Sequence, residues 1–149
     1  PEAVMEEWMR MAEEAYAFRV EPKPYAAELL RRWKARGIRL AVATANHEKL
    51  FAPALRRAGI YDCFDAFTTL AEVKRGKGFP DISLRTAEKL ALPPADCLVL
   101  EDILAGIRGA RAGGFQTAAV ADPSNRHSRE ALAREAGLFL QDFSEALRW

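Results

Sequence analysis

The run Cys97-Leu98-Val99-Leu100 ends abruptly in Glu101-Asp102. Four apolar residues without a polar alternate are too few for a helix, and they match a strand covered on both faces, as in a parallel sheet. Two carboxylates then stand at the edge where ligands bind in open parallel sheets. The rest of the chain repeats this grammar. Ile38 to Thr44, reading Ile-Arg-Leu-Ala-Val-Ala-Thr, is a second short apolar run; Phe64 to Leu70, Thr117 to Val120 and the edge Leu138 to Leu140 follow. Helical patterns fill the intervals at 24–36, 48–58, 81–91, 105–112 and 128–136. Strand and helix alternate, which predicts an α/β fold, doubly wound and Rossmann-like, around a parallel sheet.

The boundaries carry their own signals. Pro24 suits a first helical turn, where its missing N–H costs nothing. Gly37 and Gly59 are placed to end helices, and Gly113-Gly114 closes another. Pro53 is expected to shorten or kink the helix that contains it. Ahead of these elements, Glu2 to Phe18 forms an amphipathic pattern whose Val4, Met5, Trp8 and Met11 stripe reads as packing surface. Glu21-Pro22-Lys23-Pro24 then reads as a hinge.

A chain of 149 residues is sized for one domain. Its 22 Lys and Arg nearly cancel its 21 Asp and Glu. The basic pairs Arg31-Arg32, Arg56-Arg57 and Lys74-Arg75 lie among acids without a series of aromatics, so they read as solvated faces and no nucleic-acid partner is expected. No apolar run reaches the length of a membrane span, and no membrane partner is expected. Cys63 and Cys97, far apart in apolar surroundings, fit reduced thiols in a cytoplasmic protein.

Three places can carry chemistry. Thr44 ends an apolar run just before a helix, so its hydroxyl and the amides beyond it can cradle an anion or simply cap. Lys77, between two glycines, can reach a phosphoryl oxygen or stand in solvent. Glu101 and Asp102 suit Mg²⁺, which takes one or two carboxylates plus water and phosphate oxygens, though Asp102 could equally cap the next helix.

Their order and spacing are more specific than any one of them. Thr44, then Gly-Lys-Gly-Phe-Pro-Asp at 76–81, then Glu-Asp-Ile-Leu-Ala-Gly-Ile-Arg-Gly-Ala-Arg-Ala-Gly-Gly at 101–114 together resemble the haloacid dehalogenase-like hydrolase superfamily. The resemblance is to its phosphatase and β-phosphoglucomutase-like branch with a helical cap. It extends from about Val20 to the C-terminus and includes Gly59-Ile60-Tyr61-Asp62-Cys63-Phe64-Asp65. By that resemblance Thr44, with the amides of Ala45 and Asn46, binds the transferring phosphoryl group and Lys77 supports it, while Glu101 and Asp102 hold Mg²⁺. The substrate implied is a small phosphorylated metabolite, hydrolysed by a phosphatase or isomerised by a mutase.

One departure is large. The superfamily acts through an Asp-x-Asp motif after its first strand, and no Asp-x-Asp occurs in this chain. The resemblance therefore implies that residues 1–19 are the last helix of a helical cap, a remnant, and that 20–149 are the α/β core without its first strand. That strand would lie between those ending at Thr44 and Asp102, and its neighbours would turn unpaired edges outward, inviting self-association. The 149 residues alone are then expected to be inactive and poorly stable. A catalytically inactive fold that serves as an interaction scaffold is the alternative of another class.

Overall fold

The computed structural model describes residues 2–149. Its elements are α1 (Glu2–Phe18), α2 (Ala26–Ala35), β1 (Ala41–Thr44), α3 (Glu48–Arg57), β2 (Ala66–Thr69), α4 (Asp81–Leu90), β3 (Leu98–Glu101), α5 (Leu104–Ala112), β4 (Gln116–Val120), α6 (Arg129–Glu135) and β5 (Leu138–Leu140). Every strand pairing is parallel. The pairings fall into two groups, β1 with β2, and β3 with β4 and β5. Among the described residues no pairing joins β1 to β3.

What joins the two groups is side-chain packing. Leu29 and Trp33 of α2, Leu40 ahead of β1, and Ile60 meet Val120 of β4, Leu140 of β5 and Ala146 in one buried cluster. The opposite face is filled by Ala87 of α4, Ala110 of α5 and Phe115 over Val99, and beside them by Ile107, Ala119 and Leu132. Neighbouring strand residues divide between the layers, Val99 to one and Leu100 to the other, as the two-residue strand period requires. Helices thus cover both faces.

The start of the β1–β2 pair is clamped by Asp65. The Leu40 N–H donates to its carboxylate at 2.9 Å, and the Asp65 N–H returns a bond to the Leu40 carbonyl at 2.7 Å. Lys34 donates to the same carboxylate at 2.8 Å. Lys34 first, and then the Leu40 amide, hold the Asp65 carboxyl below its ordinary 3.8.

Several expectations are corrected. The strand expected from Ile38 begins at Ala41, since Ile38 and Arg39 are exposed and lack a strand partner. The second helix begins at Ala26, two residues after Pro24, because Tyr25 turns left-handed at φ 65°. Pro53 lies inside α3, which continues to Arg57; the hydrogen bond that Pro53 cannot make belongs to the carbonyl of exposed Lys49, where water can replace it. The apolar stripe of α1 is not buried: Val4, Met5, Trp8 and Met11 are exposed. The main packing of this helix is along α3.

Because the folded carboxyl of Asp65 is more acidic than the unfolded one, its contribution is complete above 3.8 and is lost as the pH falls through the depressed value. Asp65→Ala should cost about 1 kcal/mol at neutral pH, discounted for partial exposure. The variant should also lack that acid-side loss. Urea denaturation of both proteins across this range measures it.

Candidate active site

The site is assembled at the carboxyl ends of β1 and β3 by a helix with a glycine face. Gly106, Gly109 and Gly113 recur at helical spacing along and just beyond α5. A Cβ at Gly106 would stand 2.6 Å from Cδ of Glu101. One at Gly109 would overlap the Lys77 carbonyl oxygen and stand 2.7 Å from that of Phe79. One at Gly113 would lie 2.9 Å from Cβ of Pro80. Hydrogen atoms at these positions are what let the Glu101 side chain and the backbone of residues 77–80 lie directly on the helix.

The loop is also tied from its own ends. Arg75 forks onto Asp81, with Nη2 2.6 Å and Nε 3.0 Å from Oδ1, and its guanidinium lies over the Phe79 ring at 4.5 Å. The Phe79 N–H donates to Gly76 O. This clasp closes residues 75–81 into a stiff turn with Lys77 at its tip. Lys77 Nζ then lies 2.9 Å from Glu101 Oε2 and 3.3 Å from Oε1. The pair is largely sheltered, with 23% and 11% of the side chains exposed. Burial pushes the Glu101 carboxyl above its ordinary 4.5, against the opposing pull of Lys77 and with a further upward push from Asp102.

Asp102 points elsewhere. Its Oδ2 is 3.9 Å from Lys23 Nζ, and the same ammonium contacts Asp122 directly. Lys23 first and Ser124 second hold the Asp122 carboxyl far below the usual carboxylate range. Asn125 is buried beside them and donates to the backbone carbonyls of Asp102 at 2.9 Å and Val120 at 3.0 Å, tying the ends of β3 and β4 together. Asp102 does not cap α5, whose N-cap residue is Ile103 with no side-chain cap bond.

At the other strand end, Thr44 Oγ1 accepts the Asn46 N–H at 3.1 Å, and Asn46 Nδ2 donates to the Tyr16 hydroxyl of α1 at 2.9 Å. Thr44 is not the cap of α3, whose N-cap residue is His47. The Asn46 amide expected to face an anion is engaged by Thr44 here, while Ala45 is exposed. Of the residues expected from sequence, Lys77 and Glu101 are in direct contact, Asp102 adjoins them and faces Lys23, and Thr44 ends the strand across the break. Residues that sequence reading passed over are Arg75, Asp81, Lys23, Asp122 and Asn125. Their signals were present: opposite charges bracketing Gly-Lys-Gly, and an Asp-x-x-Asn that forms a reciprocal capping box.

The family model for haloacid dehalogenase-like hydrolase, a hydrolase family, matches residues 2–114. The chain belongs to that family. It is 44% identical over 98 residues to Protein CbbY of Rhodobacter capsulatus, an overlap that covers 62% of this chain and 42% of that protein. It is 33% identical over 96 residues to Fructose-1-phosphate phosphatase YqaB of Escherichia coli, 64% of this chain and 50% of that one. The chain therefore spans about half the length of these curated relatives. Among solved structures, a point mutant of CbbY from Rhodobacter sphaeroides in complex with xylulose-(1,5)bisphosphate superposes at a TM-score of 0.81 with 28% identity, covering 92% of this chain and 61% of that one.

The glycine face can be tested directly. Gly109→Ala should cost about 1–3 kcal/mol, the range for forcing a methyl into a filled contact. The structural consequence should be a displaced 77–80 loop with Lys77 released from Glu101. Denaturant unfolding, with chemical shifts of the 75–81 amides, reports both.

Proposed function

We propose that this chain supplies the phosphate-binding and charge-neutralising part of a phosphoryl-transfer site, acting in a phosphatase of small phosphorylated metabolites such as sugar phosphates. The observation that carries this reading is the sheltered Lys77–Glu101 pair at the sheet edge, with the Asp102 carboxylate next to it. A lysine held rigidly by one carboxylate presents its remaining N–H donors along a fixed direction, which suits a phosphoryl oxygen. Membership of a hydrolase family and similarity to a fructose-1-phosphate phosphatase support the same reaction class.

In this reading Lys77 binds and orients the phosphoryl group, and Glu101 positions Lys77. Thr44 Oγ1 and the amides of Ala45 and Asn46 bind the opposite oxygens, the Asn46 N–H exchanging its bond to Thr44 for one to the ligand. Among the described residues no cluster of three or more His, Cys, Asp or Glu side chains is arranged to hold a metal. Glu101, the last residue of β3, and Asp102 next to it are the one or two carboxylates that Mg²⁺ takes beside water and phosphate oxygens. Asp102, one-third exposed, would hold the ion, with Glu101 behind it. When bound, Mg²⁺ supplies neutralisation of phosphate charge. By the family resemblance the nucleophile would be the first aspartate of an Asp-x-Asp motif, which these 149 residues do not contain, so turnover would require it to be supplied.

Inorganic phosphate with Mg²⁺ should bind this chain saturably in phosphorus NMR titrations. Lys77→Ala should weaken that binding about tenfold or more, the worth of one charge-assisted hydrogen bond. In a longer protein that joins this chain to an Asp-x-Asp segment, Lys77→Ala and Asp102→Asn should each lower phosphate release at least ~100-fold. Unchanged binding and near-normal release would refute the assignment.

A further inference from the structure

Two lysines stand at the two carboxylates of this edge, and they stand differently. Lys77 is bonded to Glu101 at 2.9 Å. Lys23 is held 3.9 Å from Oδ2 of Asp102, beyond hydrogen-bond distance, while its ammonium contacts Oδ2 of Asp122 directly. Glu101 is thus closed by its lysine. Asp102, whose one ion pair among the described residues is this long one, keeps a carboxylate that no lysine or arginine bonds directly.

The parts that set this distance are fixed. Lys23 lies between Pro22 and Pro24, whose rings lock their own φ and restrict the residue between them. Its carbonyl accepts the Ala26 N–H at 3.1 Å, and just upstream Arg57 binds the Glu21 carboxylate and the Val20 carbonyl. Asp122 follows β4. Its Oδ1 accepts the Ser124 N–H at 2.8 Å and the Ser124 hydroxyl at 2.6 Å, which leaves Oδ2 for the lysine. Buried Asn125 spans the two acids: its Nδ2 donates to the Asp102 carbonyl at 2.9 Å, and its Oδ1 accepts the Asp122 N–H at 3.1 Å. Only the lysine side chain can move between them, so the ammonium settles where the two carboxylates together draw it.

A cation that takes Asp102 meets that ammonium as a neighbouring like charge. At a partly exposed site, unit charges about 4 Å apart interact strongly enough to alter an affinity about tenfold after screening. Without Asp122 the lysine would have one carboxylate left, and it would close Asp102 as Lys77 closes Glu101.

We propose that Lys23 and Asp122 set the cation affinity of Asp102 without ligating the ion: Lys23 competes with a divalent cation for that carboxylate, and Asp122 withdraws Lys23 so that the cation can enter. Both are positioning residues, and the inference rests on the reading of Asp102 as the cation's ligand.

Mn²⁺ titrated into the 149-residue chain and followed by electron paramagnetic resonance, with Mg²⁺ as competitor, measures the affinity. Lys23→Met should tighten binding about tenfold, and Lys23→Arg, which keeps the charge, should stay within about threefold of the parent chain. Asp122→Asn, whose remaining oxygen can still accept the Ser124 bonds, should weaken binding about tenfold. In the Lys23→Met background the same Asp122→Asn change should move the affinity by less than about threefold, since no ammonium is left to withdraw. Equal losses in both backgrounds would overturn the proposal, because Asp122 would then act by its own charge. So would a Lys23→Met variant that binds no more tightly than the parent, the result of a merely structural tie. Asp102→Asn separates the two readings. If it leaves Mn²⁺ binding unchanged, the assignment of Asp102 falls and the proposal with it; if it abolishes binding while Lys23→Met changes nothing, the proposal alone falls.

Discussion

The close approach of the 77–80 backbone to the glycine face of α5 is the contact on which the sheet edge depends. It sets three groups at once. The Lys77 carbonyl rests where Gly109 has no side chain, the Glu101 side chain fills the space left by Gly106, and Pro80 fits against Gly113. With the loop at that height the lysine reaches the carboxylate at 2.9 Å without extending into solvent. The Arg75–Asp81 fork then holds the loop from outside. Hydrogen bonds and charges complete the arrangement, but shape decides whether they can form.

The second organising fact is that the sheet is two groups of strands held by one core. Leu40 and Trp33 reach across to Val120 and Leu140, so burial of apolar surface does the joining that a ladder of backbone bonds does elsewhere. Two strand edges, one on β1 and one on β3, are left unpaired among the described residues. One of them belongs to β3, the strand that ends in Glu101.

The fold class was legible because each strand is short, apolar and followed by a helix with a clear period. The parallel pairing follows from the same alternation, whereas the break between β1 and β3 was expected only from the family resemblance, which puts a further strand between those ending at Thr44 and Asp102. The sequence order put Thr44, Glu101 and Asp102 at the ends of apolar runs and Lys77 in a glycine loop, and the structure brings Lys77 against Glu101 at the end of β3. What sequence could not show is partner choice. Lys23 lies between two prolines, and nothing local in the sequence pairs it with Asp122, 99 positions later. Arg75, read as half of a solvated basic pair, is exposed as that reading expects but also forks onto Asp81 and clasps the lysine loop. The α1 stripe showed the opposite failure: helical period identified an apolar face correctly, but period carries no information about whether a neighbour covers it.

Packing on α5 makes the Lys77–Glu101 ion pair a fixed part of the fold. A double-mutant cycle on unfolding stability, with Lys77→Met, Glu101→Gln and the two combined, tests it most directly. For a sheltered, directly hydrogen-bonded pair the coupling should be about 1–3 kcal/mol. Additive effects, with no coupling between the two positions, would contradict it.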